Sequence, residues 1–433
     1  MRPITARVLL LLLFTGACGS APEVPAAGPL ADPVANPDAM GRWIPAAPEE
    51  PAVEPFTIHV PDAVLDDLRH RLALVRWPHE IDQSGWKYGA DLGYMKELVA
   101  YWQDQYDWRE RERRLNQFDH FRTTIDGVGL HFLHQRSEHP EATPLLITHG
   151  WPGSVVEFMK IIEPLTDPVS HGGRAEDAFH VVAASIPGFG FSDQPNEAGY
   201  GPDRVADMLV TLMDRLGYTR YVVQGGDWGA IIGTRIALKA PERLIGLHLN
   251  FCPAGPLPAG TEPAAAPSEA ELERMRASQA AFADESGYSA QQGTRPQTLG
   301  YGLNDSPVGQ AAWIVEKFYA WTDNDGSPED AVTRDELLTN VMVYWVTQTP
   351  TSSARLYYES RHVDGGIFWG ERVTVPTACA MFPKEVAYTP RALLEPHFNL
   401  VRYTEMAKGG HFAAMEEPEL LVEDIRAFVE GLR

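Results

Sequence analysis

Apolar and polar positions change rhythm several times along the chain, and each change marks an element. From residue 56 to 120 apolar positions recur at helical spacing and include Trp77, Trp86, Tyr88, Tyr94, Tyr101, Trp102, Tyr106 and Trp108, which predicts helices. Within them Arg109-Glu110-Arg111-Glu112-Arg113-Arg114 alternates in sign and is expected to form a solvated helix face. Strand-like runs over 121–125 and 129–134 flank Asp126-Gly127, a hairpin signature. Short apolar strands then alternate with helical stretches. A strand over 145–148 runs into His149-Gly150-Trp151-Pro152-Gly153-Ser154, and one over 180–186 into Pro187-Gly188-Phe189-Gly190. A helix over 203–216 carries Val205, Met208, Leu209, Leu212 and Leu216 on one face, with Asp203 placed to cap it. Strands over 221–224 and 244–250 follow, separated by another apolar helix. Such alternation implies an α/β fold: a mostly parallel sheet covered on both faces, with its sites at the carboxyl ends of the strands.

The rhythm breaks after Cys252. Residues 253–270 are rich in Pro and Ala, and 271–370 read as helices rich in Trp and Tyr without strand alternation, the pattern of an inserted helical cap. Strands resume over 373–382 and 400–403, and an amphipathic helix over 418–432 closes the chain. The division is therefore an N-terminal helical segment over 53–120, core over 121–252, cap over 253–370 and core again over 371–433. Ahead of these, Arg2 and Arg7 flank a start that leads into the apolar run 8–14, the small residues 15–17 and Cys18. The run is too short to span a bilayer but suits a signal peptide over 1–17. Cys18 resembles the lipidated cysteine of bacterial lipoproteins, with plain signal-peptide cleavage as the alternative, and residues 18–52 read as an Ala/Pro-rich tether. The expected location is the bacterial periplasm or cell envelope, with membrane attachment only through that N-terminal lipid.

Composition narrows the partners. The 433 residues are 44% hydrophobic and 22% charged, ordinary for a globular protein. Thirty-six basic against 59 acidic side chains give a formal charge of −23, which argues against nucleic acid or anionic lipid as a partner. The acids are spread along the chain rather than blocked. Of the three cysteines, Cys252 and Cys379 are expected to be buried thiols, and none has metal-ligand spacing.

The chemistry centres on Tyr221-Val222-Val223-Gln224-Gly225-Gly226-Asp227-Trp228-Gly229-Ala230, a strand running into Gly-x-Asp-x-Gly and then a helix. This is the nucleophile elbow of the α/β-hydrolase fold with a carboxylate in place of the usual serine. A carboxylate attacks an sp³ carbon and is left as an ester, so epoxides and alkyl halides are its natural electrophiles. Chain order then points to Glu385, after the strand over 373–382, as the orienting acid, because Leu249-Asn250-Phe251-Cys252 offers no carboxylate. It points to His411 in Gly409-Gly410-His411-Phe412 as the base. Backbone N–H groups of Trp151 and Trp228 are placed to form an oxyanion hole.

Three motifs, His-Gly-Trp-Pro-Gly-Ser at 149–154, Gly-Gly-Asp-Trp-Gly at 225–229 and Gly-Gly-His-Phe-Ala-Ala at 409–414, together resemble those of the microsomal-type epoxide hydrolases. The likeness extends to Tyr106-Asp107-Trp108-Arg109 and to residues 125–132, which are similar to that family's N-terminal wrapping segment. Residues 302–309 and 338–342 of the cap share it. The resemblance implies an α/β-hydrolase fold with inserted cap and wrapping segment, no cofactor, a small apolar or aromatic epoxide as substrate, and two cap tyrosines on the epoxide oxygen. Tyr288 and Tyr357 match those positions, with Tyr358 the alternative to the second. Cap aromatics Trp313, Phe318, Trp321, Tyr344 and Trp345 suit such a substrate and equally suit cap core. The nearest rival is a hydrolytic dehalogenase, with the Trp151 and Trp228 indoles holding halide; halide release against diol formation separates the two. A non-catalytic surface lipoprotein is the rival from another class, and an esterase would need Ser or Cys at the elbow.

Overall fold

The computed structural model describes residues 43–433 apart from 259, 264 and 363–369. The expected signal peptide over 1–17, Cys18 and most of the expected tether lie outside the described residues. A nine-stranded sheet runs through the described part. Its strands are β1 (Val53–Phe56), β2 (His120–Ile125), β3 (Val128–Gln135), β4 (Thr143–Thr148), β5 (Phe179–Ala184), β6 (Tyr221–Gly225), β7 (Leu244–Leu249), β8 (Val373–Met381) and β9 (Phe398–Glu405). They lie in the order β1-β2-β3-β5-β4-β6-β7-β8-β9. The pairs from β1 to β3, and β3 with β5, are antiparallel; those from β5 to β9 are parallel. The hairpin turn holds Asp126 at φ 52° and Gly127 at φ 74°, the left-handed pair that a two-residue turn between twisted strands requires. β4, β5 and β6 occupy the middle, with Leu145, Leu146, Val181, Val182, Val222 and Val223 sealed from solvent.

The N-terminal segment is not wholly helical. Val53–Phe56 adds β1 to the sheet edge beside β2, and a four-residue edge strand containing Pro55 offers no alternation to read. The charged run is not a solvated face either. In the helix Trp108–Leu115, Glu112 is only 6% exposed and accepts from the Val60 N–H at 2.6 Å and the Trp108 indole at 3.2 Å. Arg109 clamps the Val60 carbonyl and Asp62, and Arg111 reaches Asp335 at 2.6 Å. Alternating charge here stitches the segment to its neighbours, a use that pattern alone does not distinguish from solvation.

Between β7 and β8 the described residues form helices Glu269–Glu285, Gly287–Gln292, Pro296–Asp305, Pro307–Trp321, Arg334–Thr347 and Pro350–Arg361. The helix Arg334–Thr347 is buried from Leu337 to Thr347 and docks on the turn after β4. Asn340 Nδ2 donates to the Pro152 carbonyl at 2.7 Å, Ser154 Oγ to Asn340 Oδ1 at 2.8 Å, and the Tyr344 hydroxyl to the Gly153 carbonyl at 2.6 Å. Cys252 and Cys379 are not free thiols but a disulfide, with Cα atoms 6.2 Å apart. β8 lies beside β7 with Cys379 opposite Leu249, and Cys252 follows just past that residue. A sequence separation of 127 hid the adjacency. The helix expected from 203 spans Pro202–Arg215, with Gly201 rather than Asp203 at its cap and Pro202 preset for the first turn.

Candidate active site

β6 ends at Gly225, and the helix Asp227–Lys239 begins almost at once. Asp227 sits between them at φ 46°, a left-handed conformation that an aspartate adopts more readily than most residues. The elbow closes because its glycines leave no side chain in the way. A Cβ on Gly225 would stand 2.3 Å from the carbonyl carbon of Gly229, and one on Gly229 only 1.8 Å from the Thr148 oxygen. The Asp227 carboxylate projects toward the turn after β4, where Oδ1 accepts the Trp151 N–H at 2.7 Å. A Cβ on Gly150 would lie 2.0 Å from that same Oδ1, so the approach depends on glycine there. Trp228, in the first turn of the helix, has an N–H without an intrahelical carbonyl to meet.

The other two expected partners arrive from the far strands. Glu385 follows β8 and His411 follows β9, and the Lys384 N–H donates to the Gly409 carbonyl at 3.1 Å, tying the two loops together. His411 Nδ1 lies 2.6 Å from Glu385 Oε1, which also accepts the Val386 N–H at 2.7 Å. His411 Nε2 faces Asp227 Oδ2 at 3.6 Å. The imidazole is buried, which opposes its charging, but the Glu385 and Asp227 carboxylates outweigh burial and hold it well above the usual histidine range.

Helices of the insertion supply an aromatic wall. The Tyr288 ring stacks on Trp151 with centroids 4.9 Å apart, and Tyr357 sets its edge against Trp228 at 4.8 Å and Trp151 at 5.9 Å. The two tyrosine rings lie 5.7 Å apart. Burial, with the Asp227 charge adding to it, raises both phenols, Tyr357 the more deeply enclosed. The Tyr357 hydroxyl and Trp228 indole N–H are buried without a hydrogen-bond partner among the described residues. Tyr358 points elsewhere, its ring stacked on His362. Trp321 belongs to the wall, 5.1 Å from both the Tyr288 and His411 rings. Phe318, Tyr344 and Trp345 are packed in the interior.

Two carboxylates that sequence reasoning passed over also stand here. Glu416 accepts backbone N–H groups of Asp323 at 2.7 Å and of Gly410 and Phe412 at 2.9 Å. Its burial pushes its pKa up to about 7 against those donors. Glu157 lines a small cavity with Asp227 and His411. Its signal was a single charge inside the apolar run Val155-Val156-Glu157-Phe158-Met159. A groove of about 810 Å³ lies away from this chemistry, between Trp77, Tyr88, Met95 and Pro307.

Sheet order, elbow and helical insertion define an α/β-hydrolase fold with an aspartate at the nucleophile position. The alpha/beta hydrolase fold family model matches residues 143–363, and the model of the epoxide hydrolase N terminus matches 53–158. The chain belongs to the epoxide hydrolase family. It is 47% identical to a putative epoxide hydrolase of Stigmatella aurantiaca over 382 residues, covering 88% of this chain and 86% of that one. It is 40% identical to epoxide hydrolase 1 of Sus scrofa, covering 89% and 90%. The crystal structure of juvenile hormone epoxide hydrolase from the silkworm Bombyx mori superimposes with a TM-score of 0.81 at 34% identity, covering 89% and 96%. Relatives of this kind correct the expected periplasmic or envelope location: mammalian and insect enzymes match over nearly the whole globular part. The seven-residue apolar run at 8–14 is too generic to fix a destination.

Proposed function

We propose that this epoxide hydrolase converts an epoxide to a vicinal diol through a covalent ester on Asp227. The observation that carries this reading is that the two oxygens of one carboxylate are in different surroundings. Oδ1 is held by the Trp151 N–H at 2.7 Å, whereas Oδ2 faces His411 Nε2 at 3.6 Å and is free to attack. Tyr288 and Tyr357, kept neutral by burial, are donors rather than phenolates and hydrogen-bond the epoxide oxygen. Asp227 Oδ2 forms a bond to a ring carbon, the C–O bond of the ring breaks, and the emerging alkoxide takes a proton from the tyrosine pair.

Esterification removes the Asp227 charge, and with it part of what holds the His411 proton. The imidazole therefore becomes a base when a base is required, still oriented by Glu385. It takes one proton from water, whose oxygen bonds to the ester carbonyl carbon, and Oδ1 carries the negative charge against the Trp151 and Trp228 N–H groups. Collapse releases the diol with the His411 proton, and the second water proton returns to the tyrosine pair. No metal or organic cofactor enters. The walls around Asp227, made of Trp151, Trp228, Tyr288, Trp321 and Tyr357, suit a small apolar or aromatic epoxide.

A single turnover in heavy-oxygen water tests the reading. Label is expected in the Asp227 carboxylate and not in the first diol; label in the first diol means that water attacks the epoxide directly. Two hydroxyls aimed at a leaving oxygen have no use in halide displacement, so diol formation without halide release is expected from matched epoxide and haloalkane substrates.

A further inference from the structure

A small cavity of about 20 Å³ lies beside Asp227, lined among others by Thr148, Glu157, Gln224, Asn250 and His411. One water needs roughly 10–15 Å³ of such space, so the cavity has room for one. None of its lining residues comes from the helices between β7 and β8, so it opens on the sheet side of the carboxylate, away from Tyr288 and Tyr357. Its walls contain groups that lack a partner. Gln224 and Thr148 are each 1% exposed, and Gln224 Oε1 and Thr148 Oγ1 have no hydrogen bond among the described residues. The Gln224 amide is fixed by donating to Asn250 Oδ1 at 2.7 Å, which leaves Oε1 as an acceptor. Buried polar atoms of this kind are costly unless something meets them.

We propose that Glu157 is a positioning residue for ester hydrolysis, holding with Gln224 and Thr148 the single water that attacks the Asp227 ester from the sheet side. This rests on the covalent reading above. One water proton goes to His411 Nε2, the other is donated to Gln224 Oε1, and one lone pair faces the ester carbonyl carbon. The remaining lone pair accepts from the Glu157 carboxyl or the Thr148 hydroxyl. Burial pushes Glu157 up to about 8, with Asp227 adding to the rise and His411 opposing it, so the carboxyl carries its proton at neutral pH. It then donates to water without competing with Glu385 for the imidazole. Gly153 makes room: a Cβ there would overlap Glu157 Oε1 at 1.4 Å.

The test separates the two chemical steps with styrene oxide as probe, using rapid quench and intact mass to follow the adduct. For Glu157→Gln, ester formation is expected within about twofold of wild type while ester hydrolysis slows about tenfold or more, so adduct accumulates. Thr148→Val, nearly isosteric, is expected to slow hydrolysis alone by about threefold or more, and it decides the matter if the first variant fails to fold. Hydrolysis at the wild-type rate in both variants, or loss of both steps in parallel, overturns the proposal. His411→Gln serves as control: if that variant also forms no adduct, the covalent reading has failed, whereas adduct there with normal hydrolysis in Glu157→Gln rejects only the role of Glu157.

Discussion

Replacing His411 by Gln is expected to lower turnover about a thousandfold while ester formation continues, so one equivalent of covalent adduct remains on Asp227. Gln occupies similar space and keeps an atom within reach of Glu385, so the loss reflects the missing base rather than a collapsed loop. Intact-mass measurement after a stoichiometric epoxide pulse reads the result directly, and a variant that turns over normally removes His411 from the mechanism. Acid should impose the same block on the unaltered enzyme. In the ester the Asp227 charge is gone and only Glu385 still raises the imidazole pKa, so the neutral base is lost as pH falls through the pKa of the esterified enzyme. Each further unit then costs about tenfold in ester hydrolysis. Ester formation uses His411 in no such way, so adduct should build up progressively at low pH and clear when the solution is returned to neutral.

The double variant Tyr288→Phe, Tyr357→Phe is expected to lose about a thousandfold in activity with the opposite signature. Each hydroxyl donates to the oxygen on which charge develops, and positioned acid catalysis contributes about 10²–10⁴. Phe preserves the ring packing, including the 4.9 Å stack of residue 288 on Trp151, so the fold should survive with little change in melting temperature. The first chemical step slows, no adduct accumulates, and either single variant should fall between wild type and the pair. A fully active double variant would mean that another donor opens the ring.

Much of the site could be read because its residues are bound to chain order. The elbow glycines are forced because a Cβ at either would stand only 1.8–2.3 Å from neighbouring backbone, so a strand, Gly-x-Asp-x-Gly and a helix leave few other structures open. His411 and Glu385 follow the last strands by the same logic. What escaped depends on pairings between distant segments. Cys252 and Cys379 meet because β8 is laid beside β7 across the whole helical insertion. β1 exists only because β2 offers an edge. Glu112 and Arg111 sit in a run whose alternating charge describes a solvated helix equally well until Val60 and Asp335 are brought to it. Of Tyr357 and Tyr358, adjacent in sequence, rotation about the helix Pro350–Arg361 brings only the first to Trp151 and Trp228. Local spacing sets which residues are available, and long-range packing sets which of them meet.

The loop that bears His411 is fastened to the end of the helix Pro307–Trp321. The His411 N–H donates to the Trp321 carbonyl at 2.9 Å, the Gly409 N–H to Asp323 Oδ2 at 2.9 Å, and Glu416 grips Asp323 and Gly410 together. The helical layer therefore has a pinned margin, and the pin is the base itself. Lifting that margin would draw the imidazole away from Asp227 and Glu385, so a gap there and a competent base exclude each other. On the reading proposed above, the covering layer and the proton acceptor are joined at this margin, and the imidazole keeps its place beside Asp227 and Glu385 while the margin stays seated.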